Sequence, residues 1–373
     1  MKHLGLIVNP IAGMGGKVGL KGTDGPEILE RAIRLGAIPV APERAVQALR
    51  TLRTYTTSSV KLITCSQKMG EESAKEAGLN PEVVDIVSGQ RTTSDDTKRA
   101  AEVLQTRKVD LLLFVGGDGT ARDICDAIGR ETPCLGIPAG VKVYSSVFST
   151  NPRTGGNLVA NYLNGEARLA DAEVLDVDES EFRTDRISVR LYGYLRVPFH
   201  STYLQNSKTG SPMDEDEVSV QDAIAKFLEE ELKDGRTYII GPGSTTSALG
   251  RRLGFEKTML GVDAVHGRTI VEKDLSEQGI MQLLTQGPAS IIVTPIGGQG
   301  FIFGRGNPQI SAQVIRRVGK ENIIVIATKH KIRSLKTKRL LVDTGDPKLD
   351  RELSGYMKTI TGYREFSVLP VSA

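Results

Sequence analysis

The chain has 373 residues, with 48 Lys and Arg against 45 Asp and Glu and a formal net charge of +3. At ~100–200 residues per domain this length holds two domains with a full core in each, and the near balance of charge excludes partners recognised by bulk electrostatics, such as nucleic acid or a membrane surface. Three cysteines without CxxC or zinc spacing and four scattered histidines argue against a disulfide framework or a histidine metal centre.

The apolar segment Leu4 to Val8 is strand length, too short for a secretory signal, and no stretch reaches the ~20 apolar residues of a membrane span. A cytoplasmic protein is expected. After this strand comes a glycine-rich loop with Asn9, Pro10, Gly13, Gly15, Gly16 and Lys17. It is not a Walker loop, because Val18 follows Lys17 where Ser or Thr is needed. Its two readings are a surface loop and a backbone path for phosphate. The second is preferred for the lysines and the Thr23-Asp24 pair among the glycines.

Periodicity predicts helices over Glu27 to Leu35 and Pro42 to Arg53, a strand over Val60 to Thr64, a helix from about Ser66, and a strand over Glu82 to Val87. Thr93 to Asp96 supply N-caps for a helix to Gln105, although Ser88 to Asp96 also suits nucleotide contact. Leu111 to Val115 is a buried strand that empties into Gly116-Gly117-Asp118-Gly119-Thr120, followed by a helical period to Ile128. A polyglycine turn lets backbone approach a ligand, and the helix after it directs N–H groups and a positive dipole end there, which favours phosphate. Pro133 to Ile137 is a further strand, and Val141 to Ser146 starts a helix. Strands alternating with helices imply a parallel sheet whose carboxyl ends gather the ligand.

From about Asn151 the pattern turns strand-like, with Leu169 to Asp178 and Arg186 to Val197 alternating. Val218 to Leu232 is an amphipathic helix. The run Asp214 to Glu217 before it is a solvated helix start or a metal site, the former preferred. Thr237 to Ile240 ends in Gly241 to Ser247, a second anion-ready turn that includes Gly243, Ser244 and Thr245. Strand-then-glycine recurs at residues 261–267 and 290–300, and Arg305 and Asn307 among glycines are either packing or a site wall. Asn322 to Thr328 and Leu340 to Asp343 are strands, Lys329 to Arg339 a solvated basic connector, and Asp346 to Ile360 a terminal helix.

A carboxylate at a phosphate turn needs a reason. Asp118 holds Mg²⁺ between phosphate oxygens, accepts the proton of an attacking hydroxyl, or closes an Asx-turn on its own backbone. The pentapeptide Gly116 to Thr120 resembles the GGDGT signature of NAD kinases and of the diacylglycerol and sphingosine kinase superfamily. Asn9-Pro10 is similar to that superfamily's strand-end turn, and Gly243-Ser244-Thr245 to the Thr-Gly-Ser-Thr-Ala-Tyr segment of NAD kinases. The stretches Gly116 to Ile124, Gly136 to Lys142 and Thr294 to Phe301 resemble the predicted ATP-NAD kinase branch that includes the X proteins of acetoin-catabolism clusters.

The resemblance implies an NAD kinase-like α/β fold, with an N-terminal parallel-sheet α/β domain and a β-rich C-terminal domain. We set these at 1–147 and 148–335, with 336–373 packing back on the first. It further implies ATP-dependent phosphoryl transfer to a hydroxyl, ATP and Mg²⁺ as cofactors, and a homo-oligomer, dimer or tetramer. Asp118 becomes the catalytic residue and a transient Mg²⁺ ligand. Gly116, Gly117, Gly119 and Thr120 approach phosphate, as does the Asn9 to Lys17 loop. Ser244 and Thr245 contact a nucleotide beside Gly243, while Asp123, Lys142 and Ser145 line the substrate crevice. NAD is the first acceptor. A different hydroxyl metabolite, or a sensor role without turnover, are the alternatives, since Arg190 to Val197 lacks the Asn-acid pair that NAD kinases carry there.

Overall fold

The structure is a computed structural model, and it describes residues 1–20, 25–86, 92–140, 143–177, 189–199, 215–296, 299–335 and 337–373. The chain forms two compact units: residues 1–14 with 22–207, and residues 15–21 with 208–373.

In the first unit, strands β1 (Lys2–Val8), β2 (Val60–Cys65), β3 (Glu82–Val84), β4 (Leu111–Gly116) and β5 (Cys134–Pro138) form a sheet of order β3-β2-β1-β4-β5. Every pairing is parallel. The middle strands are apolar on both faces because helices cover both. Those helices are α1 (Pro26–Arg34), α2 (Ala41–Tyr55), α3 (Glu71–Glu76), α4 (Ser94–Thr106), α5 (Asp118–Ile128) and α6 (Pro152–Leu163). Two layers of core result. Leu4, Leu6, Leu111, Leu113 and Leu135 meet α2 and α6 on one side, while Ile7, Leu112 and Phe114 meet α4 and α5 on the other. Thr93 caps α4 reciprocally with Asp96, as the sequence predicts.

The antiparallel pair β6 (Arg168–Val177) and β7 (Val189–Phe199) also belongs to this unit. Its core residues Ala172, Val174, Leu195 and Val197 join the layer of α4 and α5. The contact division falls near 207.

In the second unit come α7 (Glu215–Glu231), β8 (Thr237–Ile240), α8 (Ser244–Arg252), β9 (Asp263–His266), β10 (Thr269–Glu272), α9 (Glu277–Leu283), β11 (Ala289–Val293) and β12 (Phe301–Phe303). After them follow α10 (Ala312–Val318), β13 (Ile323–Ile326), α11 (Lys329–Ser334), β14 (Leu340–Val342), α12 (Pro347–Leu353), β15 (Gly355–Gly362) and β16 (Glu365–Ser372). Their strands make a nine-stranded mixed sheet of order β10-β9-β8-β11-β13-β15-β16-β14-β12. The run β8-β11-β13-β15 is parallel throughout.

Two expectations are corrected here. Residues 346–360 are not one helix: Asp346 caps Lys348 and Leu349 to start α12, Ser354 ends it, and β15 pairs antiparallel with β16. Within the second unit, β14, β15 and β16 thus complete the nine-stranded sheet. Similarly, no helix forms over 143–146; that segment is irregular and is tied by bonds between Ser146 and Glu173 of β6. Among the described residues, no helix is long and apolar enough to cross a membrane.

Candidate functional site

Register places the turns after β1, β4 and β5 side by side, since Val8 pairs with Val115 and Gly116 with Pro138. Backbone bonds fasten them. Asn9 N–H donates to Val115 O at 3.0 Å, and Ala139 and Gly140 N–H both donate to Gly116 O at 2.8 and 3.3 Å. The Asn9 side chain accepts from Ile11 N–H and donates through Nδ2 to Thr120 Oγ1 at 3.0 Å. Pro10 continues this turn. Gly13, at φ 80°, packs so closely that a β-carbon would collide with the Ala139 carbonyl. Gly116 is required by the same logic: a β-carbon there would lie 2.5 Å from that of Thr120.

Asp118 opens α5 and is 9 % exposed. Its carboxylate accepts from Tyr144 N–H at 2.8 Å, Ser145 N–H at 2.8 Å and Ser145 Oγ at 2.5 Å. Ser145 Oγ in turn accepts the Leu175 N–H of β6 at 2.9 Å. These bonds reach a segment 26 and 27 residues away, well beyond an Asx-turn. Burial, with the Asp118 charge behind it, pushes the Tyr144 phenol up. Gly117, the N-cap of α5, has no side-chain cap bond, and both it and Gly119 are partly exposed between buried Asp118 and Thr120. Uncapped N–H groups at a helix start, reached over bare glycine, suit a phosphate.

The structure brings Asn9, Gly13, Gly116, Gly117, Asp118, Gly119, Thr120 and Ser145 together at one sheet edge. Asp123 is elsewhere, on α5 beside Lys98 and Asp126, where it helps to raise the Lys98 ammonium after Asp126. The expected loop is divided, for Gly15, Gly16 and Lys17 pack with the second unit. There Lys17 O accepts Glu277 N–H at 2.8 Å, and its ammonium lies 3.7 Å from Glu277. Lys142, and Ser88 to Arg91 of the polar cluster, lie outside the described residues.

Gly243, Ser244 and Thr245 form the turn from β8 into α8, with Gly243 at φ 126° against Thr294 at the end of β11. Thr246 and Ser247 hydroxyls donate to Gly241 and Gly243 carbonyls. No side chain caps α8. Arg305 and Asn307 are buried: Arg305 pairs with Asp343 at 3.3 Å, and Asn307 donates to Ile302 O at 2.9 Å. Their described bonds fit the packing alternative.

Sequence reading missed two networks. Arg122 of α5 and Arg190 of β7 both pair with buried Asp176 of β6, fixing the hairpin to the helix that carries Asp118. Lys331, assigned to a solvated connector, instead donates to Thr294 Oγ1 at 3.2 Å, and burial pushes its ammonium down to about 8. Burial also raises Cys65 to about 12, as well as Cys125 and Cys134, so these thiols are poor nucleophiles. Among the described residues no three His, Cys, Asp or Glu side chains cluster as a metal site.

Two family profiles match the sequence: the ATP-NAD kinase N-terminal domain over residues 4–167 and the ATP-NAD kinase C-terminal domain over residues 233–371. No curated protein sequence matches. Among solved structures, a candidate diacylglycerol kinase from Bacillus anthracis str. Sterne aligns at 16 % identity and TM-score 0.26, over 48 % of this chain and 46 % of its own. This chain thus spans about half the length of that neighbour. A UDP-GlcNAc 2-epimerase from Neisseria meningitidis aligns at 12 % identity and TM-score 0.24, over 92 % of this chain and 78 % of its own. Likenesses this weak carry no argument about fold or activity.

Proposed function

The chain belongs to the ATP-NAD kinase family, and from that premise we propose that it transfers the terminal phosphoryl group of ATP to a hydroxyl of a small molecule, with NAD as the first acceptor and NADP as the product. The observation that carries this reading is the turn Gly116 to Thr120, where an uncapped helix start, partly exposed glycines and a tethered carboxylate meet at the carboxyl ends of β1, β4 and β5.

Phosphoryl transfer asks mainly for positioning and charge stabilisation. Backbone N–H groups at the start of α5 bind phosphate oxygens, and Gly117 and Gly119 let them come close. Asn9 and Thr120 hold the neighbouring turns in register. Asp118, held by Tyr144 and Ser145, keeps the turn in place and would be the carboxylate to hold Mg²⁺, which would neutralise phosphate charge. Because its carboxylate is already engaged, Asp118 serves better as metal ligand and anchor than as general base.

A kinase acting on another small hydroxyl metabolite is the second reading. It is favoured by β7, where Arg190 is committed to Asp176 and no Asn-acid pair is present. The proposal includes a cytoplasmic homo-oligomer, dimer or tetramer. Incubation with ATP, Mg²⁺ and NAD, with NADP measured enzymatically, separates the two readings. NADP formation supports the first, and ADP release with another alcohol but not with NAD supports the second.

A further inference from the structure

A second cluster of polar groups lies at the carboxyl ends of β8, β11 and β13, wholly within the second unit. Helix α8 starts there without a side-chain cap. Gln221 of α7, 1 % exposed, donates through Nε2 to Ser244 Oγ at 3.4 Å, and its Oε1 has no partner. Whichever way the amide is turned, one of its two polar atoms is left over. Thr245 Oγ1, in the first turn of α8 and also 1 % exposed, has none either, so among the described residues both atoms are unpartnered. Thr294 lies against Gly243, and its hydroxyl receives Lys331. An ammonium has three donors, and among the described residues this one bonds a single neutral oxygen. The buried Gln221 and Thr245 atoms left so are costly unless something binds them, and half-buried Lys331 has donors to spare beside them.

We propose that Gln221, Thr245, Lys331 and the N-terminus of α8 form an anion site for a phosphate monoester group of the substrate. Helix N–H groups, the Thr245 hydroxyl, the Lys331 ammonium and, with the Gln221 amide turned so that Oε1 accepts from Ser244 Oγ, its NH₂ are all donors, and several donors suit the three oxygens of a phosphate monoester. Glu217 of α7 is the acidic group facing Lys331; it accepts from Thr328 Oγ1 at 2.7 Å and lies 3.5 Å from His330, so its charge is shared with other donors. The inference rests on the second kinase reading and deepens it by giving that hydroxyl substrate a phosphate monoester, which NAD lacks, yet the test reads binding in the second unit alone. Either can fail without the other.

The full-length chain, labelled with ¹⁵N and deuterium, is titrated with inorganic phosphate while backbone amide shifts are followed. At pH 7.5 the amides of residues 243–246 move saturably. At pH 9.5 phosphate is still a dianion but the Lys331 ammonium is largely lost, so the same shifts weaken at least several-fold. Lys331→Met abolishes them and Lys331→Arg retains them, while shifts at residues 116–120 persist in both variants. Amides 243–246 that stay still in the wild type, or that respond equally at both pH values, overturn the proposal. The pH arm holds even if a variant does not fold.

Discussion

The hydroxyl of Ser145 lies 2.5 Å from Oδ1 of Asp118 while it accepts the Leu175 amide of β6. One side chain thus ties the strand-turn-helix to the strand pair behind it. Asp118→Asn keeps the size of the group but turns an NH₂ toward N–H donors. We predict a stability loss of about 1–3 kcal/mol for the unsatisfied groups, together with a turnover loss of at least ~10²-fold, the range for removal of one electrostatic stabiliser of the transition state. Ser145→Ala leaves both backbone donors to Asp118. It lowers stability by about 1 kcal/mol and turnover by less than tenfold. Thermal melts and ADP release measure both.

Adjacent glycines are predicted to behave oppositely. At Gly116 an added methyl meets Thr120, so Gly116→Ala costs about 1–3 kcal/mol by overpacking, and Thr120→Ala in the same chain restores much of it. At Gly117 the nearest neighbour to an added β-carbon is the Gly140 Cα at 3.5 Å, and φ is −117°. Gly117→Ala therefore leaves the melting temperature nearly unchanged while raising the KM for ATP, because it blocks approach to the start of α5. An unchanged KM would place the phosphates elsewhere.

The Asn9–Thr120 bond is predicted to act on structure more than on chemistry. A double-mutant cycle with Asn9→Ala and Thr120→Val should give a coupling of about 1 kcal/mol in unfolding free energy. Independence of the two substitutions would contradict the 3.0 Å bond.

The Lys331 ammonium titrates at about 8 when folded, below its ordinary 10.5. Between those values the unfolded chain binds more protons, so this group makes stability rise with pH across that window and burdens the fold below it. Lys331→Met, melted in phosphate-free buffer, is predicted to gain a few degrees at pH 7. That advantage shrinks toward pH 10.5. A constant gain across the range would mean that packing, not charge, is responsible.

The first sheet was legible because its strands are apolar on both faces and its turns are punctuated by Asn-Pro and glycine. Leu111 to Val115, the helix to Ile128 and the Thr93 cap all appear where periodicity and capping chemistry placed them. Less was legible where distant partners decide the outcome. Met357, Thr359 and their neighbours became a strand because β13 and β16 offered edges to pair with, and Ser146 left the helical state for bonds to β6. Of the site, Asp118 and its glycines could be named from spacing alone. Ser145 could be set beside the crevice from strand-end position, but its bond to Asp118 and the half-buried setting of Lys331 among basic neighbours left no trace in the sequence.

The central claim is phosphoryl transfer at the Gly116 to Thr120 turn, and ATP labelled at its γ-phosphate tests it most directly. With Mg²⁺ and a panel of hydroxyl acceptors headed by NAD, the wild-type protein is predicted to move label onto an acceptor, and Asp118→Asn to do so at least ~10²-fold more slowly. Label that reaches no acceptor in the panel, or transfer that is indifferent to Asp118, would contradict the account.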